Sequence, residues 1–185
     1  MLIAFNKPFG VICKFREEPG RPTLADYIKT PNIYPAGRLD TDSEGLLLLT
    51  DNGVLQTRIA DPSHKLAKTY WAQVEGVPSE AALIALRNGL RLSDFTTQPA
   101  DARLIDEPDN LWPRDPPIRY RAKIPTAWLE IRLREGKNRQ VRRMTAHVGL
   151  PTLRLIRARI GAVSVAGLKP GESREIVSDA PWDAA

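Results

Sequence analysis

Residues 37–50 read Gly37-Arg38-Leu39-Asp40-Thr41-Asp42-Ser43-Glu44-Gly45-Leu46-Leu47-Leu48-Leu49-Thr50. The second half is a continuous apolar run closed by Asp51-Asn52-Gly53. It is too short for a typical helix and is bounded by turn residues, so it predicts a buried strand followed by a tight turn. The first half is polar and carries two aspartates, which predicts a loop bearing carboxylates beside that strand.

Working toward the N-terminus, Pro31 and Pro35 bracket the loop that leads to Gly37, and Thr23 is placed to cap a short helix through Asp26 and Tyr27. Leu2-Ile3-Ala4-Phe5 predicts a first strand, ended by Asn6, Lys7, Pro8 and Gly10. Toward the C-terminus, Val54, Leu55 and Ile59 fit one helical face until Asp61-Pro62 stops it, and a strand is expected over 69–74. Ser79 is a candidate N-cap for a helix with Glu80 in its first turn, an apolar stripe of Ala82, Leu83 and Leu86, and Gly89 at its end.

Short strands are expected over 90–105 and loop over 106–117, where four prolines fall. Trp128-Leu129-Glu130-Ile131-Arg132-Leu133-Arg134 alternates, with Leu129, Ile131 and Leu133 on one face and charges on the other. Glu135-Gly136-Lys137-Asn138 then turns the chain. Asn138 is expected to cap a helix that points Val141, Met144, Thr145 and Val148 at the core until Gly149, with Arg139, Arg142 and Arg143 sharing a side. Strands around 153–160 and 162–165 complete a mostly antiparallel or mixed α+β pattern rather than a βαβ repeat.

With 185 residues and 42% hydrophobic composition, the chain can bury a real core. No apolar run is long enough to span a membrane, and Met1 leads straight into the first strand without a basic leader, so a cytoplasmic protein is expected. The single cysteine, Cys13, forms no internal disulfide and reads as core, and no zinc-ligand spacing occurs. The net charge is +5, and Arg132, Arg134, Lys137, Arg139, Arg142, Arg143, Arg154, Arg157 and Arg159 crowd one region. Such a cluster suits a polyanion better than a small neutral substrate, although a solvated basic surface is the plain alternative.

Asp40 is the candidate for chemistry. A carboxylate on a loop beside a buried strand can serve as base or nucleophile, or it can cap local amides, and spacing alone leaves both open. Its acidic and hydroxyl neighbours lack the usual partners of a magnesium phosphoryl-transfer site. There is no Gly-rich phosphate loop, and neither His64 nor His147 stands in a hydrolase pattern.

Three motifs in register carry a resemblance. Gly37-Arg38-Leu39-Asp40 with Glu44-Gly45-Leu46-Leu47-Leu48-Leu49-Thr50, then Lys68-Thr69-Tyr70, then Glu135-Gly136-Lys137-Asn138-Arg139-Gln140-Val141-Arg142-Arg143-Met144 together resemble the RsuA-type pseudouridine synthases. The likeness runs from Asn6-Lys7-Pro8-Phe9-Gly10 to Leu168-Lys169-Pro170-Gly171-Glu172. It implies a pseudouridine synthase fold, a twisted mostly antiparallel or mixed sheet with two α+β subdomains and a central cleft. The implied catalytic domain is 1–178, with a subdomain boundary near 54–68, C-terminal strands returning to the first lobe and a tail over 179–185. Lys7-Pro8-Phe9-Gly10 comes so early that no N-terminal S4 domain is expected.

By the resemblance, Asp40 is the catalytic aspartate and Arg38 holds the target nucleotide out of its helix. Tyr70 stacks on the base, and Arg142 is the basic partner of the carboxylate. The family often has a histidine where Arg139 stands, so no proton chemistry is assigned there. Lys137, Arg139 and Arg143, with Arg154 and Arg157 after them, are implied phosphate contacts, and Lys7 joins them by its motif without a defined chemical role. The implied partner is 23S rRNA or a large-subunit assembly intermediate, bound by a monomer that needs no metal or cofactor. A synthase acting on 16S rRNA or tRNA, a noncatalytic RNA-binding or ribosome-assembly protein, and an RNA nuclease or glycosylase are the alternatives.

Overall fold

A computed structural model describes residues 1–177, so the expected tail over 179–185 lies outside the described residues. The chain forms two units, one of Met1–Leu66 with the chain from Arg157 onward, the other of Ala67–Ile156.

In the first unit, β1 (Leu2–Lys7), β2 (Tyr34–Pro35) and β3 (Glu44–Thr50) precede helix α1 (Gly53–Ala60). The two apolar runs are buried at every position of β1 and β3. They pair antiparallel from Leu2 opposite Thr50 to Lys7 opposite Gly45, a register that puts the end of β1 against the end of the 37–45 loop. Ile3, Phe5, Leu47 and Leu49 point to one face, where they meet Val11, Leu24, Ile28 and Ile33. Each such buried side chain contributes roughly 1.5–3 kcal/mol relative to exposure.

Three local expectations change here. Pro35 does not close a loop but lies in the short strand β2, which pairs with β3 through Tyr34 opposite Thr50 and Pro35 opposite Leu49. The turn after Thr23 is a 3-10 helix, Leu24–Asp26, in which the Asp26 carboxylate accepts the Thr23 N–H at 2.7 Å. In α1 only Ile59 is fully buried, and Val54, in the first turn, stands 81% exposed. The helix starts on Asn52, whose side chain accepts the Leu55 N–H at 3.1 Å.

In the second unit, β4 (Lys68–Glu75), α2 (Glu80–Asn88), β5 (Asp101–Ile105), β6 (Thr126–Leu133) and α3 (Gln140–His147) follow in order. The three strands stand in the order β5-β6-β4, antiparallel throughout. Ala72, Val74, Ala102, Leu129, Ile131 and Leu133 form the face covered by Leu83 and Leu86 of α2 and Val141 and Met144 of α3. Ser79 caps α2 through the Ala82 N–H at 3.1 Å, and Gly89 ends it at φ 94°. Region 90–105 holds one strand rather than several, plus an isolated bridge between Arg91 and Thr96.

Helix α3 begins later than expected. Asn138 does not cap it; the N-cap is Arg139, in the left-handed region at φ 50° with no side-chain cap bond. The Gln140 side chain instead accepts the Lys137 N–H at 3.0 Å, bracing the turn before the helix, and Arg139 lies outside the helix that carries Arg142 and Arg143.

Strand β7 (Thr152–Ile160) begins in the second unit and ends in the first, followed by β8 (Val163–Ser164) and β9 (Ser173–Glu175). β8 pairs with the end of β7, and β9 pairs antiparallel with β1 from Ile3 opposite Glu175 to Phe5 opposite Ser173. Among the described residues, strands joined by antiparallel ladders and three α-helices give the expected α+β class.

Candidate active site

The loop carrying Asp40 is built from its backbone. Gly37 sits at φ 88°, a conformation that L side chains rarely adopt, and so lets the chain turn into Arg38. Leu39 is buried at 7% exposure and pins the loop, while Arg38 is exposed and Asp40 half-buried. The Asp40 carbonyl accepts the Ser43 N–H at 3.0 Å, and the Thr41 carbonyl accepts the Gly10 N–H at 2.8 Å. The second bond ties this loop to the turn that follows β1.

Two buried cations complete the frame. Arg157, 3% exposed, donates Nε to the Leu46 carbonyl at 2.8 Å and Nη1 to the Arg38 carbonyl at 3.1 Å. Lys7 is fully buried, and its Nζ donates to the carbonyls of Pro8 and Val11, both at 2.9 Å. Burial lowers the Lys7 ammonium to about 8; Cys13, Glu44 and Asp42 oppose that fall, and Arg157 adds to it. Lys7 Nζ and the Arg157 Nε and Nη1 donate to backbone carbonyls inside the fold, whereas a phosphate contact must present its donors outward.

Of the expected site residues in the second unit, Tyr70 is half-buried in β4, on the face that packs against the core under α2 and α3, and Trp71 takes the opposite face. Arg142 is half-buried on α3. Lys137, Asn138 and Arg139 are exposed on a turn held from within by buried Glu135. Its Oε1 accepts the Gln98 N–H at 2.8 Å and the Gln140 side-chain amide. Lys137 Nζ lies 5.9 Å and Arg143 Cζ 5.1 Å from the Phe95 ring centre, and Arg143 is ion-paired with Asp94, whose carboxyl is held below its usual range by that guanidinium. Arg154 is buried at 6% exposure and donates to the Trp112 carbonyl at 2.8 Å.

The structure therefore brings Lys7, Arg38, Asp40 and Arg157 into one framework, and joins Lys137 and Arg143 around Phe95. The sequence reading gave no role to Glu135 or Gln140, although both stand inside the third motif. A buried acid five residues before a buried amide, flanking an exposed basic turn, is a pattern that separates frame from contact residues only once burial is known.

A family model described as RNA pseudouridylate synthase matches residues 1–147. The chain is 56% identical over 94% of its length, and 94% of the relative's, to a Xanthomonas campestris pv. campestris protein named ribosomal large subunit pseudouridine synthase E. A Vibrio vulnificus protein of the same name is 53% identical over 95% of this chain and 74% of its own length. A solved structure described as a pseudouridylate synthase superposes with a TM-score of 0.79 at 29% identity, covering 95% of this chain and 70% of that one. The aspartate-bearing loop, the strands that carry it and these matches across nearly the full chain agree: the chain belongs to the RNA pseudouridylate synthase family.

Proposed function

We propose that this enzyme converts one uridine of bacterial 23S rRNA, naked or within a large-subunit assembly intermediate, to pseudouridine, acting in the cytoplasm as a monomer. The observation that carries the reading is the 56% identity to a relative named for the large ribosomal subunit, extending over 94% of both chains.

The reaction breaks the N1–C1′ glycosidic bond, turns the uracil and joins C5 to C1′, with C5 losing a proton and N1 gaining one. Atoms and electrons balance within the nucleotide, so neither redox partner nor cofactor is required. Asp40 is the carboxylate that acts at the nucleoside, by attack at C1′, by removal of the C2′ proton to give a glycal, or by addition at C6; the family resemblance favours the glycal route. Arg142 is assigned, by the family resemblance, as the basic partner of that carboxylate. Tyr70 gives the detached base a flat surface, and Arg38 supports the flipped nucleotide. Lys137 and Arg139, exposed on their turn, are assigned to phosphates, together with Arg143 beside them.

The target is tested by incubating the protein separately with transcribed 23S rRNA, 16S rRNA and tRNA, then mapping pseudouridine by position. One modified uridine in 23S rRNA, and none elsewhere, is the expected result. Modification confined to 16S rRNA or tRNA would overturn the target assignment.

A further inference from the structure

We propose that Arg157 is the positioning residue of this reaction, fixing the main chain on both sides of Asp40 rather than meeting RNA. The inference rests on the reading of Asp40 as the catalytic carboxylate.

Arg157 lies on β7, far along the chain from the loop it serves, and is 3% exposed. Its Nε donates to the carbonyl of Leu46 at 2.8 Å, and its Nη1 to that of Arg38 at 3.1 Å. Those carbonyls bracket Asp40 in sequence, one at the entry to the loop and the other just inside β3. A planar guanidinium has its donors in a rigid fork, so bonding both carbonyls fixes their spacing and orientation together. The backbone bonds from Ser43 to the Asp40 carbonyl and from Gly10 to the Thr41 carbonyl join neutral groups. Charge-assisted bonds are roughly twice as strong as neutral ones, which makes the Arg157 pair a strong element of this frame.

The frame also carries a cost. Arg157 Nη2 and Ser43 Oγ are buried without hydrogen-bond partners. A buried charge with an unmet donor is poor material for stability alone; natural folds tolerate such features where a functional geometry has to be held. A carboxylate working at a sugar carbon needs that geometry, because a displacement of about 1 Å can cost on the order of 10²-fold in rate.

The experiment measures steady-state kinetics and RNA affinity for wild type, Arg157→Lys, Arg157→Gln and Asp40→Asn on a 23S rRNA fragment, with folding checked by circular dichroism. Positioning predicts that both Arg157 variants lose about 10²-fold in kcat, with KM and the salt dependence of binding unchanged. It also predicts that lysine fails to rescue, since an ammonium cannot reproduce the fork. Unchanged kcat with weaker binding and a shallower salt dependence would make Arg157 a phosphate contact, and full activity in Arg157→Lys would reduce its role to charge; either overturns the inference. Turnover by Asp40→Asn would remove the reading beneath it, whereas an inactive Asp40→Asn beside normal kcat in the Arg157 variants would remove this inference alone. Should both variants fail to fold, the wild-type Arg157 Nε–H resonance decides: slow exchange unaltered by RNA supports positioning, and rapid exchange in the free protein overturns it.

Discussion

Replacing Lys7 by methionine isolates the energetic consequence of the charge buried beneath the aspartate loop. Lys7 has no exposed surface, and burial lowers its ammonium from 10.5 to about 8. The groups acting on it are Cys13, Glu44 and Asp42, which favour the charged form, and Arg157, which opposes it. Between those pH values the folded chain has released the Lys7 proton while the unfolded chain still holds it. The unfolded state thus binds more protons, and stability rises with pH across that window. Below about pH 8 the burden is fully present; above 10.5 it is gone. At about 1.4 kcal/mol per pH unit, the recovery amounts to roughly 3 kcal/mol. Lys7→Met has no such proton but leaves the Pro8 and Val11 carbonyls without their donor, a pH-independent cost of about 1–3 kcal/mol for each. Urea unfolding followed by tryptophan fluorescence at a series of pH values from 8 to 10.5 gives both curves. The stability of wild type relative to Lys7→Met should climb by roughly 3 kcal/mol over that range. A flat or falling difference would mean that Lys7 keeps its proton in the fold as readily as in the unfolded chain.

Tyr70→Phe should keep most activity, because the ring that stacks is retained, while Tyr70→Ala should lose much more; equal rates for wild type and Tyr70→Ala in a single-turnover assay would remove the stacking role. Leu47→Ala, at a fully buried position of β3, should cost about 3–5 kcal/mol by chemical denaturation. Lys137→Gln should weaken binding to many RNAs alike and lower the slope of log affinity against log salt by about 0.7–0.9, read from titrations at several salt concentrations.

What the sequence made legible follows from which signals are local. The four leucines of β3 and the Ser79 and Gly89 boundaries of α2 are decided by neighbouring residues, so they read correctly. The start of α3 did not: Asn138 is a good cap by type, yet the helix starts one residue later, on Arg139 in the left-handed region, beyond a turn that Gln140 braces while buried Glu135 holds its side chain. Strand β9 is Ser-Arg-Glu, exposed throughout, with no apolar alternation; it exists because the edge of β1 offers it a partner. The motif placed Asp40 and Tyr70 in the reading at once, but charge alone could not separate exposed Lys137 and Arg139 from buried Lys7, Arg154 and Arg157. Long cationic side chains in alternating strands look the same in sequence whether they face solvent or bond a distant carbonyl.

Whether Asp40 carries pseudouridine formation is decided by position-resolved mapping of transcribed 23S rRNA after incubation with wild type and with folded Asp40→Asn, without added metal or cofactor. A single modified uridine is expected with wild type and none with Asp40→Asn; modification by Asp40→Asn at the wild-type rate would show that another group carries the reaction.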